Sequence, residues 1–140
     1  MSLGKIYDIA ASGMAAQRFR VQLIAANIAN AETTRTTGGG PFRKKDAVFE
    51  AAVLGAAADG SDLVGVRIKE VQSSREPFPT RYDPGHPDAD ARGIVQYPNV
   101  DPVEEMVNLT AASRSYEANV AVVRAVRAMA ASAQELLRTT

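Results

Sequence analysis

The residues best suited to chemistry lie in one short segment around the single histidine. His86, Asp88 and Asp90 occur in His-Pro-Asp-Ala-Asp, a grouping that would suit metal ligation or acid–base work. No second acidic cluster completes a ligand set, and Pro87 flanked by aspartates is typical of a turn. The segment is therefore predicted to be a proline-braced turn, with no catalytic residue and no metal site.

The second candidate is a basic segment that follows three glycines, and its chemistry would be phosphate binding. Gly38–Gly40 precedes Arg43–Lys45. A phosphate-binding loop needs Gly-x-x-x-x-Gly-Lys-Ser/Thr, but Pro41 and Phe42 intervene here and no Ser or Thr follows the lysines. The segment is interpreted as a flexible linker with a solvated basic end, so no cofactor is predicted.

Composition excludes several other classes of function. The chain has 140 residues, no cysteine, and 16 basic and 16 acidic side chains. Zero net charge argues against binding nucleic acid or an anionic membrane. The absence of thiols excludes disulfides and cysteine-bound metals. No stretch reaches the ~18 apolar residues of a membrane span, and no cleavable signal peptide can be drawn. These residues alone suggest one cytoplasmic domain without direct membrane insertion.

The chain divides into an N-terminal helix (1–30), a loop-rich middle (31–100) and a C-terminal helix (101–140). In the middle, Thr33–Pro41 is predicted to be irregular because glycine and proline break regular structure. Asp46–Ala58 is predicted to form a short helix. Val64–Lys69 alternates apolar and polar residues, as a half-buried strand does, and a second short strand is expected at Gly93–Tyr97.

Both terminal zones show a helical stripe. Asp101, Pro102 and Glu104 predict a helix start, with Asp at the N-cap, Pro in the first turn and Glu closing a capping box. Spacings of three and four residues then recur. The N-terminal stripe is Ile6, Ile9, Gly13, Ala16, Phe19, Leu23, Ala26 and Asn30, and the C-terminal stripe is Met106, Leu109, Ser113, Tyr116, Val120 and Val123.

These stripes predict that the two helices pair as an antiparallel coiled coil, because their period is close to 3.5 residues. The fold class is accordingly mainly α, with a small β-containing middle. Alanine buries little area, so such helices favour further contact with other subunits. Pairing of the two helices alone would leave apolar residues exposed. A simple two-helix hairpin within a monomer nevertheless remains the alternative interpretation. The residues expected to be uncovered are Val107, Val122, Val126 and Met129.

Three residues in the N-terminal helix are unusual for a helix seam. Gly13 costs helix stability unless another backbone comes close, and amides such as Asn27 and Asn30 commonly fix register and partner choice. Asn30 is also expected to end its helix. Asn27→Leu is expected to disturb assembly more than monomer stability. The predicted assembly interface comprises Ile6, Ile9, Gly13, Ala16, Leu23, Asn27, Asn30, Met106, Leu109, Ser113, Tyr116, Val120 and Val123.

The same residues carry a resemblance to a known family. Ala11–Arg18 and Ala26–Thr34 resemble the N-terminal signature of flagellar basal-body rod proteins, and Pro98–Asn119 resembles their C-terminal signature. Gly39–Lys45 and Tyr82–Asp90 are similar to the proximal-rod type. The match covers nearly the whole chain, apart from residues 51–61, which match nothing in particular.

The resemblance implies a non-enzymatic structural subunit of the proximal rod, the axial shaft that transmits motor torque. Expected partners are copies of itself, other rod subunits and the flagellar type III export apparatus. Export without a cleaved signal peptide would place the chain in the basal body, across the periplasm, which replaces the cytoplasmic expectation. Another short proximal-rod subunit remains the alternative.

Overall fold

The computed structural model describes residues 3–56 and 60–138. It contains two long helices, one before and one after a β-containing middle region in the chain. Helix α1 spans Leu3–Ala29 and helix α2 spans Pro102–Arg138. Both helices were predicted from the sequence and are confirmed. Within the described residues, neither helix combines the length and apolar character needed to cross a bilayer.

The start of α2 follows the predicted cap. Asp101 Oδ1 accepts hydrogen bonds from the Val103 amide at 2.8 Å and the Glu104 amide at 3.4 Å. These bonds satisfy amides that have no partner inside the helix. Glu104 does not complete the predicted capping box, because its carboxylate accepts instead from Lys44 Nζ at 3.0 Å.

The middle region contains a long antiparallel hairpin of strand β1, Lys45–Ala56, and strand β2, Asp62–Ser73. Its pairing runs from Lys45 opposite Ser73 to Ala56 opposite Asp62, with two register shifts. The strand predicted at Val64–Lys69 is confirmed within β2. The helix predicted at Asp46–Ala58 is wrong, because alanine's helix preference is weaker than cross-strand pairing with β2. Ala58 itself lies outside the described residues.

A smaller sheet pairs strand β3, Thr80–Tyr82, with strand β4, Ile94–Gln96. The second predicted strand is therefore confirmed. The segment between these strands contains the predicted turn, in which His86 Nδ1 accepts the Asp88 amide at 3.0 Å. Among residues 3–56 and 60–138, no group of three His, Cys, Asp or Glu side chains is placed to hold a metal ion.

Helices α1 and α2 lie side by side and run in opposite directions. Asn27 contacts Glu105, Gly13 approaches Asn119, and the Arg127 guanidinium lies 6.0 Å from the Tyr7 ring. The hairpin packs against α1. The apolar core is small, which is expected of alanine-rich helices. Its buried members are Ala10, Ala16, Ile24, Leu63, Val95, Ala112 and Val126.

Candidate assembly site: the helix seam and its polar junction

The seam between the helices keeps one register from Asn27 to Gly13. The Asn27–Glu105 and Gly13–Asn119 contacts are separated by fourteen residues on both helices. The buried positions of α2 follow the same step, because Glu105, Ala112 and Val126 fall on one line of seven-residue intervals that also contains Asn119. A seven-residue repeat keeps one face of a helix against its partner.

Gly13 permits a close approach between the two helices. A Cβ built on Gly13 would lie 3.0 Å from both amide atoms of the Asn119 side chain. Asn119 is itself held in place, because its Nδ2 donates to the Ser115 carbonyl at 2.9 Å. The close neighbour of Gly13 is thus a side chain of α2 in the same chain, whereas the sequence had suggested the backbone of another element.

Asn27 is fully buried and uses both ends of its amide within the chain. Its Nδ2 donates to the Lys45 carbonyl and to Glu105 Oε2, each at 2.9 Å. Its Oδ1 accepts the Lys45 amide at 3.0 Å. One side chain thus joins α1, the first residue of β1 and the first turn of α2.

Glu105 is also fully buried, and its charge is compensated by Lys44. Lys44 Nζ lies 3.1 Å from Glu105 Oε1 and 3.0 Å from Glu104 Oε1. Burial by itself would lower the pKa of Lys44, but hydrogen bonds to Glu104 and Glu105 outweigh it and hold the pKa above its ordinary value. Lys44 therefore remains charged beside the buried carboxylate.

Asn99 also holds the backbone of Lys44 in place. Its Oδ1 accepts the Lys44 amide at 2.9 Å, and its Nδ2 donates to the Glu76 carbonyl at 3.0 Å. Asn27, Lys44, Asn99, Glu104 and Glu105 are called the polar junction below. The junction brings together three segments that are distant in sequence: the end of α1, the residue before β1, and residues 99–105.

The basic end of the glycine-containing linker is exposed only at Lys45, so the interpretation of a solvated end is wrong for Arg43 and Lys44. Lys44 is held in the polar junction, and Arg43 Nη1 donates to the Ser74 and Glu76 carbonyls at 2.9 and 3.0 Å. The Arg43 guanidinium also lies 4.1 Å from the centre of the Phe78 ring. Both side chains serve to fasten the base of the hairpin.

Ser12 makes a contact between α1 and β2 that was not predicted from the sequence. Its Oγ donates to the Ile9 carbonyl at 2.7 Å and accepts the Val66 amide of β2 at 3.1 Å. Next to it, a Cβ on Gly65 would lie 2.6 Å from Ser12 Oγ. The available signals were a serine inside a helix and a glycine inside a strand, both unfavourable for their element.

The predicted interface residues fall into three groups. Ala16 and Asn27 are buried within the chain, while Met106 is 57% exposed. The third group is half-buried: Ile6, Ile9, Gly13, Leu23, Asn30, Leu109, Ser113, Tyr116, Val120 and Val123.

Asn30 lies just beyond α1, which ends at Ala29, so the helix end predicted there is confirmed. The Asn30 Nδ2 donates to the Ala26 carbonyl at 2.9 Å.

The residues expected to remain uncovered do so with one exception. Val107, Val122 and Met129 are 66%, 40% and 59% exposed. Val126 is buried, contrary to expectation, because it falls on the seven-residue line that faces α1. The helix pair therefore leaves apolar side chains on its outer surface.

Comparison with known proteins identifies the class to which this architecture belongs. Residues 8–35 match the family described as "Flagella basal body rod protein". Residues 91–136 match the family described as "Flagellar basal body rod FlgEFG protein C-terminal". The two matches cover most of α1 and α2, so the paired helices are those of a flagellar basal-body rod protein.

Full-length relatives define the family more narrowly. The chain is 45% identical to the flagellar basal-body rod protein FlgC of Escherichia coli O6:H1, over 92% of this chain and 93% of the relative. It is 37% identical to FlgC of Borreliella burgdorferi over 99% of each chain. It is 36% identical to FlgC of Bacillus subtilis over 92% of this chain and 94% of the relative. The chain belongs to the FlgC family and is a structural rod subunit of the flagellar basal body.

Proposed function

We propose that this subunit assembles through its terminal helices with copies of itself and with other rod subunits, and that the resulting proximal rod transmits torque. The exposed apolar side chains of α2 carry the proposal, because Val107, Val122 and Met129 remain open to solvent after α1 has packed. Apolar surface of this kind favours association with another subunit. The role is structural and involves no catalysis.

The helix pair is proposed to pack as an antiparallel coiled coil. Seven-residue steps on α2, matched by the fourteen-residue separation on both helices, support this geometry. Within it, Gly13, Ala16 and Asn27 act from inside the subunit. The remaining predicted interface residues, Met106 foremost among them, are proposed to meet neighbouring subunits.

We further propose that the flagellar type III apparatus exports the chain without a cleaved signal peptide and that the rod then spans the periplasm. The names of the FlgC relatives support a location in the basal-body rod. Nucleic-acid binding and direct membrane insertion play no part in the proposed role.

The experiment is complementation in a host strain from which the gene for this chain has been deleted. The wild-type chain is expected to restore rods and swimming, and Ala118→Ser should do the same. Ala118→Pro should not, because proline removes a hydrogen bond inside α2. A strain that carries the His86→Ala chain is expected to swim normally. Loss of swimming would be expected if His86 had an enzymatic role.

Failure of the wild-type gene to restore rods would contradict the proposed function. Restoration of rods in a strain that lacks a different short proximal-rod subunit would favour the alternative assignment. Normal swimming by the Ala118→Pro chain would remove an intact α2 from the mechanism.

A further inference from the structure

A basic groove lies between the two helices at the end of the pair that carries Tyr7 and Arg127. Its volume is about 500 Å³, and both helices contribute to it. Arg18, Arg124 and Arg127 line the groove together with apolar side chains. The apolar members include Ala11, Met14, Val120 and Val123.

The three arginines are available to an acidic partner. Across residues 3–56 and 60–138, none of them has a carboxylate within 4.0 Å, since the ion pairs found there involve other basic residues. Arg127 lies over the Tyr7 ring at 6.0 Å. An apolar groove with unpaired arginines is complementary to a helix that carries apolar anchors and negative charge.

The first turns of α2 have these properties. Val103, Met106, Val107 and Thr110 occupy positions i, i+3, i+4 and i+7, and the three apolar members are 70%, 57% and 66% exposed. This is the anchor spacing of a helix that binds in a groove. These four residues are called the α2 patch. Asp101 and Glu104 stand beside it, and the Glu104 side chain, although it contacts Lys44 Nζ at 3.0 Å, remains 60% exposed. The first basic residue of α2 is Arg114.

We infer that the α2 patch of one copy docks in the arginine-lined groove of a second copy. The inference rests on the proposed function and specifies how two subunits meet. The α2 part of the groove runs from Tyr116 to Arg127, about 18 Å, and the patch covers about 12 Å of helix, so the lengths are compatible.

The placement of the two surfaces determines the kind of assembly. The patch lies at the Asn27–Glu105 end of the helix pair, and the groove lies at the Tyr7–Arg127 end. Each copy therefore presents a patch to one neighbour and a groove to another. Such heterologous contacts continue from copy to copy, and they form a ring or an open helical row according to the rotation between successive copies.

The experiment is cysteine cross-linking, which the cysteine-free full-length chain allows without background. Purified Met106→Cys chains are mixed with Val120→Cys chains and oxidised. The control pair is Met129→Cys with Val120→Cys, because Met129 matches Met106 in residue type, helix and exposure, at 59% against 57%. The Met106→Cys pair should give a several-fold higher dimer yield than the control.

Charge provides a second measurement on the same pair. Arg124→Glu with Arg127→Glu in the Val120→Cys chain should reduce the dimer yield to that of the control. Added salt should lower the wild-type yield, since exposed charges are screened within about 10 Å at 0.1 M. Unchanged circular dichroism spectra of the variants exclude unfolding as the cause.

A dimer yield no higher than that of the control pair overturns the inference, as does a yield that ignores the charge reversal. This failure is distinguishable from failure of the proposed function. If the wild-type gene still restores rods in the deletion strain, the chain is a rod subunit that meets its neighbours through other surfaces.

Discussion

Asn27 shows at the residue scale how an amide in a helix seam can determine a fold. Its three hydrogen bonds reach the Lys45 backbone and the Glu105 carboxylate, all inside the protein. Buried polar groups are costly when they lose their partners. These contacts indicate that Asn27 contributes mainly to the stability of the subunit. The sequence had instead suggested a larger effect on assembly than on stability.

Asn27→Leu is expected to lower the free energy of unfolding by about 2–4 kcal/mol, because it leaves the Lys45 backbone groups and one Glu105 oxygen without partners. Urea denaturation of the purified chain measures the change. Asn30→Leu is the matched control and should cost under about 1 kcal/mol, since Asn30 bonds near its own helix end. Equal losses for the two variants would contradict the role given to Asn27.

The sequence allowed only part of this site to be predicted. Gly13 and Asn27 were conspicuous because each is unfavourable in a helix seam, but the atoms close to Gly13 belong to the Asn119 side chain and not to the expected backbone. The partners of Asn27 were not predictable, because Lys45 and Glu105 lie 18 and 78 residues away and no local spacing connects them. Lys44 was misjudged for the same reason, since its two carboxylates belong to α2.

At the scale of the elements, the hairpin is fastened to α1 by Ser12 and Gly65. Gly65→Ala is expected to destabilise the protein by about 1–3 kcal/mol, because the added Cβ would lie 2.6 Å from Ser12 Oγ, which the Ile9 carbonyl and the Val66 amide hold in place. Thermal or urea unfolding measures the loss.

Gly85→Ala is the control for this substitution. The nearest atom to its new Cβ would be Asp83 Oδ1 at 3.7 Å, an ordinary contact. Its stability should stay within about 0.5 kcal/mol of wild type. If Gly65→Ala behaves like Gly85→Ala, β2 does not pack closely against Ser12 in solution.

The elements themselves were predictable to different degrees. Both helices follow from three- and four-residue spacing, and the Asp101 cap marks the start of α2. Strand β2 follows from alternation. Strand β1 was missed because its alanines favour a helix locally, while its strand form depends on pairing with β2.

At the scale of the whole molecule, the helix pair is held unequally at its two ends. The polar junction fixes the end near Asn27 and Glu105, where both side chains are fully buried. At the other end, Ile6 and Ile9 are only half-buried. Local opening follows the number of buried contacts, so the two ends should differ in stability.

Native-state hydrogen exchange followed by mass spectrometry tests this difference. Amides near Asn27 in α1 and Ala112 in α2 should exchange most slowly, and protection should fall toward Ala10 and Val126. The Asn27→Leu chain should show a flatter gradient. Uniform protection in the wild-type chain, or protection strongest at the Tyr7 end, would contradict the unequal anchoring.

The two partners of Asn27 also impose an order of events in time. A chain synthesised from its N-terminus presents Lys45 only 18 residues after Asn27, whereas Glu105 follows 78 residues after it. The amide can therefore meet the start of the hairpin long before α2 exists. The helix pair can close only after α2 has begun to emerge. The face of α1 that packs against α2 is therefore uncovered through most of synthesis.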